Sequence, residues 1–211
     1  MAREPGRGQA RTRLARRAVV TAARDLFIAR GYAATTIEAI SERSDVPAAT
    51  VYRLFSSKLG ILKALLDASI GGDDQQVAVQ DRPPVASLFG EPDPVKLLTG
   101  FAGITTAINE RSNDVYRVLA SAASTDPSAA GLLAEMQRQR GDGQRNIARA
   151  LAHGGHLRDG LGENDASDLI HALMSPEVCG LLVADRGWSY ARYREWLAAT
   201  LIQQLLAPAS P

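Results

Sequence analysis

Cysteine is almost absent from this chain of 211 residues, where Cys179 is the only one. One cysteine excludes an internal disulfide and any zinc site built from a cysteine cluster, and it suits a reducing compartment. Lysine is scarce too: only Lys58, Lys63 and Lys96 stand among 24 basic residues, so arginine carries nearly all the positive charge. No unbroken run of about eighteen apolar residues occurs, which argues against a membrane-spanning helix. The basic N-terminus lacks a following apolar segment and does not read as a secretory signal. Strand signals are also missing, because few β-branched runs are bounded by turns.

Groups for catalysis are equally thin. The three histidines are His153, His156 and His171. The first two flank Gly154-Gly155, and the third lies in an amphipathic stretch, so no metal-ligand spacing arises. Ser175 has no nucleophile-elbow context. No catalytic residue, metal or cofactor is expected, and the chain does not read as an enzyme.

What is present is apolar periodicity and divided charge. Hydrophobic residues make up 45% of the chain, enough for a sizeable core, and they recur at three- and four-residue spacing. An all-α fold follows. The net charge of +1 hides a surplus of six positive charges over residues 1–60 and a deficit of five over the rest. A basic front is the electrostatic mark of a polyanion partner.

Residues 1–10 read as a disordered basic arm. From Arg11, Leu14, Ala18, Val19, Ala22, Leu26 and Phe27 form one helical stripe, and Gly31 suits the terminator. Thr36 is placed to N-cap a short second helix carrying Ile37 and Ile40 to about Ser44. Asp45 falls in a tight turn. Pro47 suits the first position of a third helix, with Val51, Leu54 and Phe55 inward and Ala48, Ala49, Tyr52 and Arg53 outward. Ser56 or Ser57 suits the cap of a fourth helix. Residues 71–92 read as a loop. Further helices are expected from Asp93-Pro94 to Asn109, from Asp114 to Ala123, and from Asp126-Pro127 towards His153. Gly141 and Gly143 each cost that last helix about 1 kcal/mol, which leaves a break there open. Asn164 reads as a cap, Pro176 as an end or fresh start, and the last helix as Ser189 to Leu206.

Two short helices around a tight turn, after a longer amphipathic helix, have the pattern of a helix-turn-helix, whose second helix enters the major groove. The stretch Thr35-Thr36-Ile37-Glu38-Ala39-Ile40-Ser41, followed by Val46-Pro47-Ala48-Ala49-Thr50-Val51-Tyr52-Arg53-Leu54-Phe55-Ser56-Ser57-Lys58, resembles the DNA-binding domain of the TetR (tetracycline repressor) family. The resemblance covers about residues 11–66. Two positions depart from the family pattern: Asp45 replaces the turn glycine, and Leu54 replaces a His or Tyr before the phenylalanine.

The resemblance implies an N-terminal three-helix DNA-binding domain over 11–57. It also implies a larger helical ligand-binding and dimerisation domain over 58–211. Thr50, Tyr52 and Lys58 match family positions that grip phosphates, and each has a donor. Thr36 offers a hydroxyl at a helix N-terminus. Ala48 and Ala49 can pack on thymine methyl groups, while Arg53 can grip guanine, grip a phosphate or stay solvated. Tyr52 also reads as a half-buried packing residue. Arg11, Arg13, Arg16 and Arg17 reach either the DNA backbone or minor groove, or only water.

For the rest of the chain the resemblance implies a homodimer. Leu173, Leu181, Leu182, Tyr193, Leu197, Leu201 and Leu205 are the candidate interface. It also implies a pocket for a small apolar or amphipathic ligand, with Phe101, Ile104, Ile108, Tyr116, Leu119, Leu133, Met136 and Met174 as candidate lining. Plain core packing is the competing reading for each residue. The implied function is a cytoplasmic repressor that binds a near-palindromic operator in double-stranded DNA and is released by a ligand. An architectural or activating DNA-binder without inducer stays open, as does a helical enzyme or carrier.

Overall fold

The computed structural model describes residues 5–72, 79 and 82–207. Its elements are α1 (Pro5–Arg30), α2 (Ile37–Ser44), α3 (Ala48–Phe55), α4 (Lys58–Gly71), α5 (Pro83–Leu88), α6 (Pro94–Ala123), α7 (Pro127–His153), α8 (Glu163–Leu173) and α9 (Pro176–Cys179). A π-helical segment (Gly180–Asp185) and α10 (Tyr190–Leu205) complete them. The fold is all-α, and no strand occurs among the described residues.

Several expected boundaries are corrected. Helix α1 begins at Pro5, not Arg11, so residues 5–10 are helical rather than a disordered arm. Proline is pre-set for a first helical turn, and Gly6 and Gly8 only weaken it. Residues 1–4 lie outside the described residues. Within 71–92, α5 forms behind Pro83 and buries Val85, whereas 73–78, 80 and 81 lie outside the description. The two helices expected over 93–123 are one, because the polar stretch around Asn109 and Asn113 contains no glycine or proline to break it. Helix α7 likewise runs through Gly141 and Gly143. Gly162, not Asn164, caps α8, and Pro47 is the residue before α3 rather than its first.

The chain forms two compact units that divide it differently from a cut at residue 57. The first is 1–69 with 114–133; the second is 70–113 with 134–211. In the first, Val19, Ala23 and Phe27 of α1 meet Ile40, Val51, Ile61, Leu62 and Leu66, each with at most 1% of its surface exposed. Leu14 leaves the expected stripe and is 65% exposed, since it stands a turn ahead of that core.

The second unit closes around Leu98, Ala102, Ile147, Leu151, Ile170, Leu197 and Leu201. Ser175 caps α9 by accepting from the Val178 N–H at 3.1 Å, and Ser189 caps α10 by accepting from Arg192 at 3.2 Å. The run Glu163–Asp185, 23 residues long, is apolar enough by composition to cross a membrane, with a mean hydropathy of 1.2 over its most apolar 18-residue window. Ala166, Ile170, Met174 and Cys179 of this run are core side chains of the unit.

Candidate nucleic-acid interface

The recognition module is built on α2 and α3. Thr36 Oγ1 accepts from the Ala39 N–H at 3.1 Å, which caps α2. As an acceptor there, the hydroxyl keeps its own proton for another partner. The turn after α2 needs a left-handed residue, and Asp45 supplies it at φ 53° and ψ 32°. An aspartate tolerates this conformation at modest cost, so the departure from glycine leaves the fold intact. Ser41 Oγ donates to the Val46 carbonyl at 2.7 Å across the turn. Arg43 clamps α2 to α1 through Asp25, with Nη2 at 2.6 Å and Nε at 3.2 Å from one carboxylate oxygen.

Helix α3 has one inner and one outer face. Val51 and Phe55 are buried, while Ala49, Tyr52 and Arg53 are exposed. Leu54 is half-buried rather than fully inward, and so are Ala48 and Thr50. Tyr52, at 48% exposed, is free of the half-buried packing role. Arg53 has no hydrogen-bond or ion-pair partner among the described residues, so its guanidinium is open to an external acceptor. Thr36, Arg11 and Arg13 are exposed as well.

Two expected DNA-facing cations are engaged by carbonyls of the protein itself. Lys58 Nζ donates to the carbonyls of Tyr32 at 2.7 Å, Thr35 at 2.8 Å and Ala33 at 3.5 Å, and lies 4.3 Å from the centre of the Tyr32 ring. An ammonium has three protons, and three carbonyls receive them. Burial holds its pKa below the usual lysine value, opposed by the Asp126 carboxylate. Arg16 Nη1 donates to the Leu54 carbonyl at 2.9 Å, and the guanidinium stacks 4.6 Å over Phe55. It thereby grips the C-terminal turn of α3.

Gly60 is a residue that sequence reasoning missed. A Cβ there would lie 2.0 Å from the Phe55 carbonyl oxygen, so the first turn of α4 admits only glycine at this position. Ser57 Oγ accepts from the Gly60 N–H at 3.0 Å, which settles which serine caps α4.

The remaining candidates divide. Of the expected ligand lining, Phe101, Ile104, Ile108, Met136 and Met174 belong to the second unit, but Tyr116, Leu119 and Leu133 belong to the first. Phe101, Tyr116, Leu119 and Met174 are buried, and the other four are half-buried. Of the expected dimer face, Tyr193, Leu197, Leu201 and Leu205 are wholly buried in their own protomer's core. That corrects their assignment, because an interface side chain must be accessible in the lone protomer. Leu181 is 55% exposed, and Leu173 and Leu182 are half-buried. Cys179 is buried, and burial pushes its thiol up to about 11. Among the described residues no cluster of metal-ligating side chains occurs.

A capped helix, a left-handed turn and a second helix with a buried inner and exposed polar outer face define a helix-turn-helix DNA-binding protein. Residues 19–65 match the model of the bacterial regulatory proteins of the tetR family.

Two Bacillus subtilis (strain 168) relatives are named as uncharacterized HTH-type transcriptional regulators. YvkB is 42% identical over 48 residues, 23% of this chain and 25% of that relative's length. YdeS is 27% identical over 179 residues, covering 84% of this chain and 83% of the relative. Among solved structures, FadR from Bacillus subtilis in complex with stearoyl-CoA is similar at a TM-score of 0.70 and 14% identity. That match covers 89% of this chain and 97% of that one. NalD, the secondary repressor of the MexAB-OprM efflux pump in Pseudomonas aeruginosa, gives 0.67 at 20%, covering 92% and 97%. At these identities the likeness to the two structures is one of fold.

Proposed function

We propose that the protein is a cytoplasmic, ligand-released repressor that binds a near-palindromic operator as a homodimer. The observation that carries this reading is the outer face of α3, with Ala49, Tyr52 and Arg53 exposed beside half-buried Ala48 and Thr50. Arg53 meets guanine or a phosphate, and the alanines pack on thymine methyl groups. Thr36, Thr50 and Tyr52 donate to phosphates, and Arg11 and Arg13 on the first turns of α1 add backbone contacts. Lys58 and Arg16 hold the module's shape from behind. Dimerisation uses the exposed side of the α8-to-π-helix run, centred on Leu181 with Leu173 and Leu182. A two-fold pair of reading heads then spans half-sites about one DNA turn apart or a multiple of it.

Release follows if a ligand held in the second unit favours a dimer whose α3 helices no longer match both half-sites. FadR, bound to stearoyl-CoA, and the repressor NalD support that reading by analogy of fold only. A footprint on the protein's own promoter region at physiological salt tests it. Protection should exceed that of scrambled DNA by orders of magnitude. Equal protection of both would leave an architectural DNA-binder.

A further inference from the structure

We propose that Asn109, Asn113 and Tyr193, beside the π-helical turn of the second unit, bind the hydroxyl or amide group of a small uncharged organic ligand. This rests on the reading of that unit as the sensor.

Helix α6 carries a polar stripe where a core helix should be apolar. Thr105, Thr106, Asn109, Ser112 and Asn113 are each at most 8% exposed. Two of them are satisfied locally: the Thr106 hydroxyl donates to the Ala102 carbonyl and the Ser112 hydroxyl to the Ile108 carbonyl, both at 2.8 Å. Each asparagine leaves one carboxamide atom without such an outlet. Asn109 Nδ2, Asn113 Oδ1 and the Tyr193 hydroxyl are buried and make no hydrogen bond of good geometry among the described residues. Buried polar atoms are nearly always paired, so three orphans from two helices call for an external partner.

The three converge on one place. The Asn109 carboxamide lies near enough to the Cys179 thiol and the Tyr193 hydroxyl to favour the ionised form of each, although burial outweighs it and keeps both neutral. Asn113 lies against Gly180, where a Cβ would be 3.4 Å from its Nδ2. Gly180 opens the π-helical segment, and such widened turns are frequent at functional sites.

The chemistry of the orphans selects the ligand. An amide N–H needs an acceptor, a carboxamide oxygen needs a donor, and a phenol hydroxyl serves as either. A hydroxyl or an amide answers all three. The cation beside the node, Arg140, already donates to the His171 carbonyl at 3.2 Å and approaches its Nε2 at 3.1 Å. A charged ligand would therefore lose its hydration without a free counter-ion. Phe101, Met174 and Leu197, in the same core, suit an apolar body behind the polar group.

Calorimetry on the full chain with benzyl alcohol, benzamide and toluene tests the assignment. Both polar probes should bind at least about tenfold more tightly than toluene. The N109L/N113L double variant should lose that preference. Y193F, which keeps the ring in place, should reduce it and serves if the double variant does not fold. Equal affinities for all three probes in the wild type, no binding of any, or a preference untouched in the folded variants would overturn the proposal and leave the node to an ordered water. A footprint repeated at saturating benzyl alcohol separates the two readings. Unchanged protection removes ligand release, while the binding preference stands or falls on calorimetry alone.

Discussion

Lys58 Nζ lies among the carbonyl oxygens of Tyr32, Ala33 and Thr35, where a phosphate would have to displace partners already in place. Lys58→Met should therefore lower the melting temperature, with a loss of about 1–3 kcal/mol from carbonyls left unpaired. The slope of log affinity against log salt should stay unchanged. Arg53→Ala should weaken operator binding and differ in kind. A slope reduced by about 0.9 marks a phosphate contact, and an unchanged slope with relaxed preference at one base pair marks a guanine contact. An Arg53→Ala variant that binds like the wild type would exclude both roles. His171 carries a pH prediction. Its Nδ1 lies 2.9 Å from Gln144 Oε1 and its Nε2 3.1 Å from Arg140, so the ring is held neutral between them. Burial, then the Arg140 charge, lowers its pKa below 6.5. The unfolded chain thus takes up the proton first. The stability from this group is complete above about pH 6.5 and is lost as pH falls through the folded value. Melting temperatures recorded from pH 7.5 to 5 should fall more steeply for the wild type than for His171→Gln.

Among the elements, α2 and the turn after α3 are the most exacting. Thr36→Ala removes the cap of α2 and should cost about 1 kcal/mol, while Thr36→Ser should keep both cap and operator binding. Gly60→Ala drives a methyl against the Phe55 carbonyl oxygen and should cost about 1–3 kcal/mol, with operator binding lost before the fold. Calorimetric melting paired with a gel-shift assay checks both. The short elements around this turn were legible in the sequence because each follows from local chemistry: Thr36 as cap, Asp45 in the tight turn, and Pro47 marking the start of α3 to within one residue. Arg16 and Lys58 were not, because an arginine or lysine gives no sign of whether its charge faces solvent or a helix end. The polar stripe of α6 misled in the opposite way. Asn109 and Asn113 resembled a helix break, yet no breaker stood there, and the polar side chains were being buried. Tyr193, Leu197, Leu201 and Leu205 formed a visible stripe, but periodicity alone cannot say whether a stripe meets its own core or a second copy.

For the whole molecule, the division between core and outer face decides how a dimer can form. Leu181→Arg changes a side chain that is 55% exposed, so it should leave the protomer folded and convert the proposed dimer to monomer. Sedimentation velocity checks this, together with lost affinity for a two-half-site duplex. Leu197→Arg places a charge in a fully buried position and should abolish folding altogether. A Leu181→Arg protein that still sediments as a dimer would send the interface elsewhere. Cys179 has a practical consequence of its own. It is the sole thiol, wholly buried and held protonated by that burial, so a thiol-specific dye cannot reach it while the second unit stays shut. Labelling kinetics of the unmodified protein therefore time the breathing of that unit, and a compound that occupies it should slow the clock.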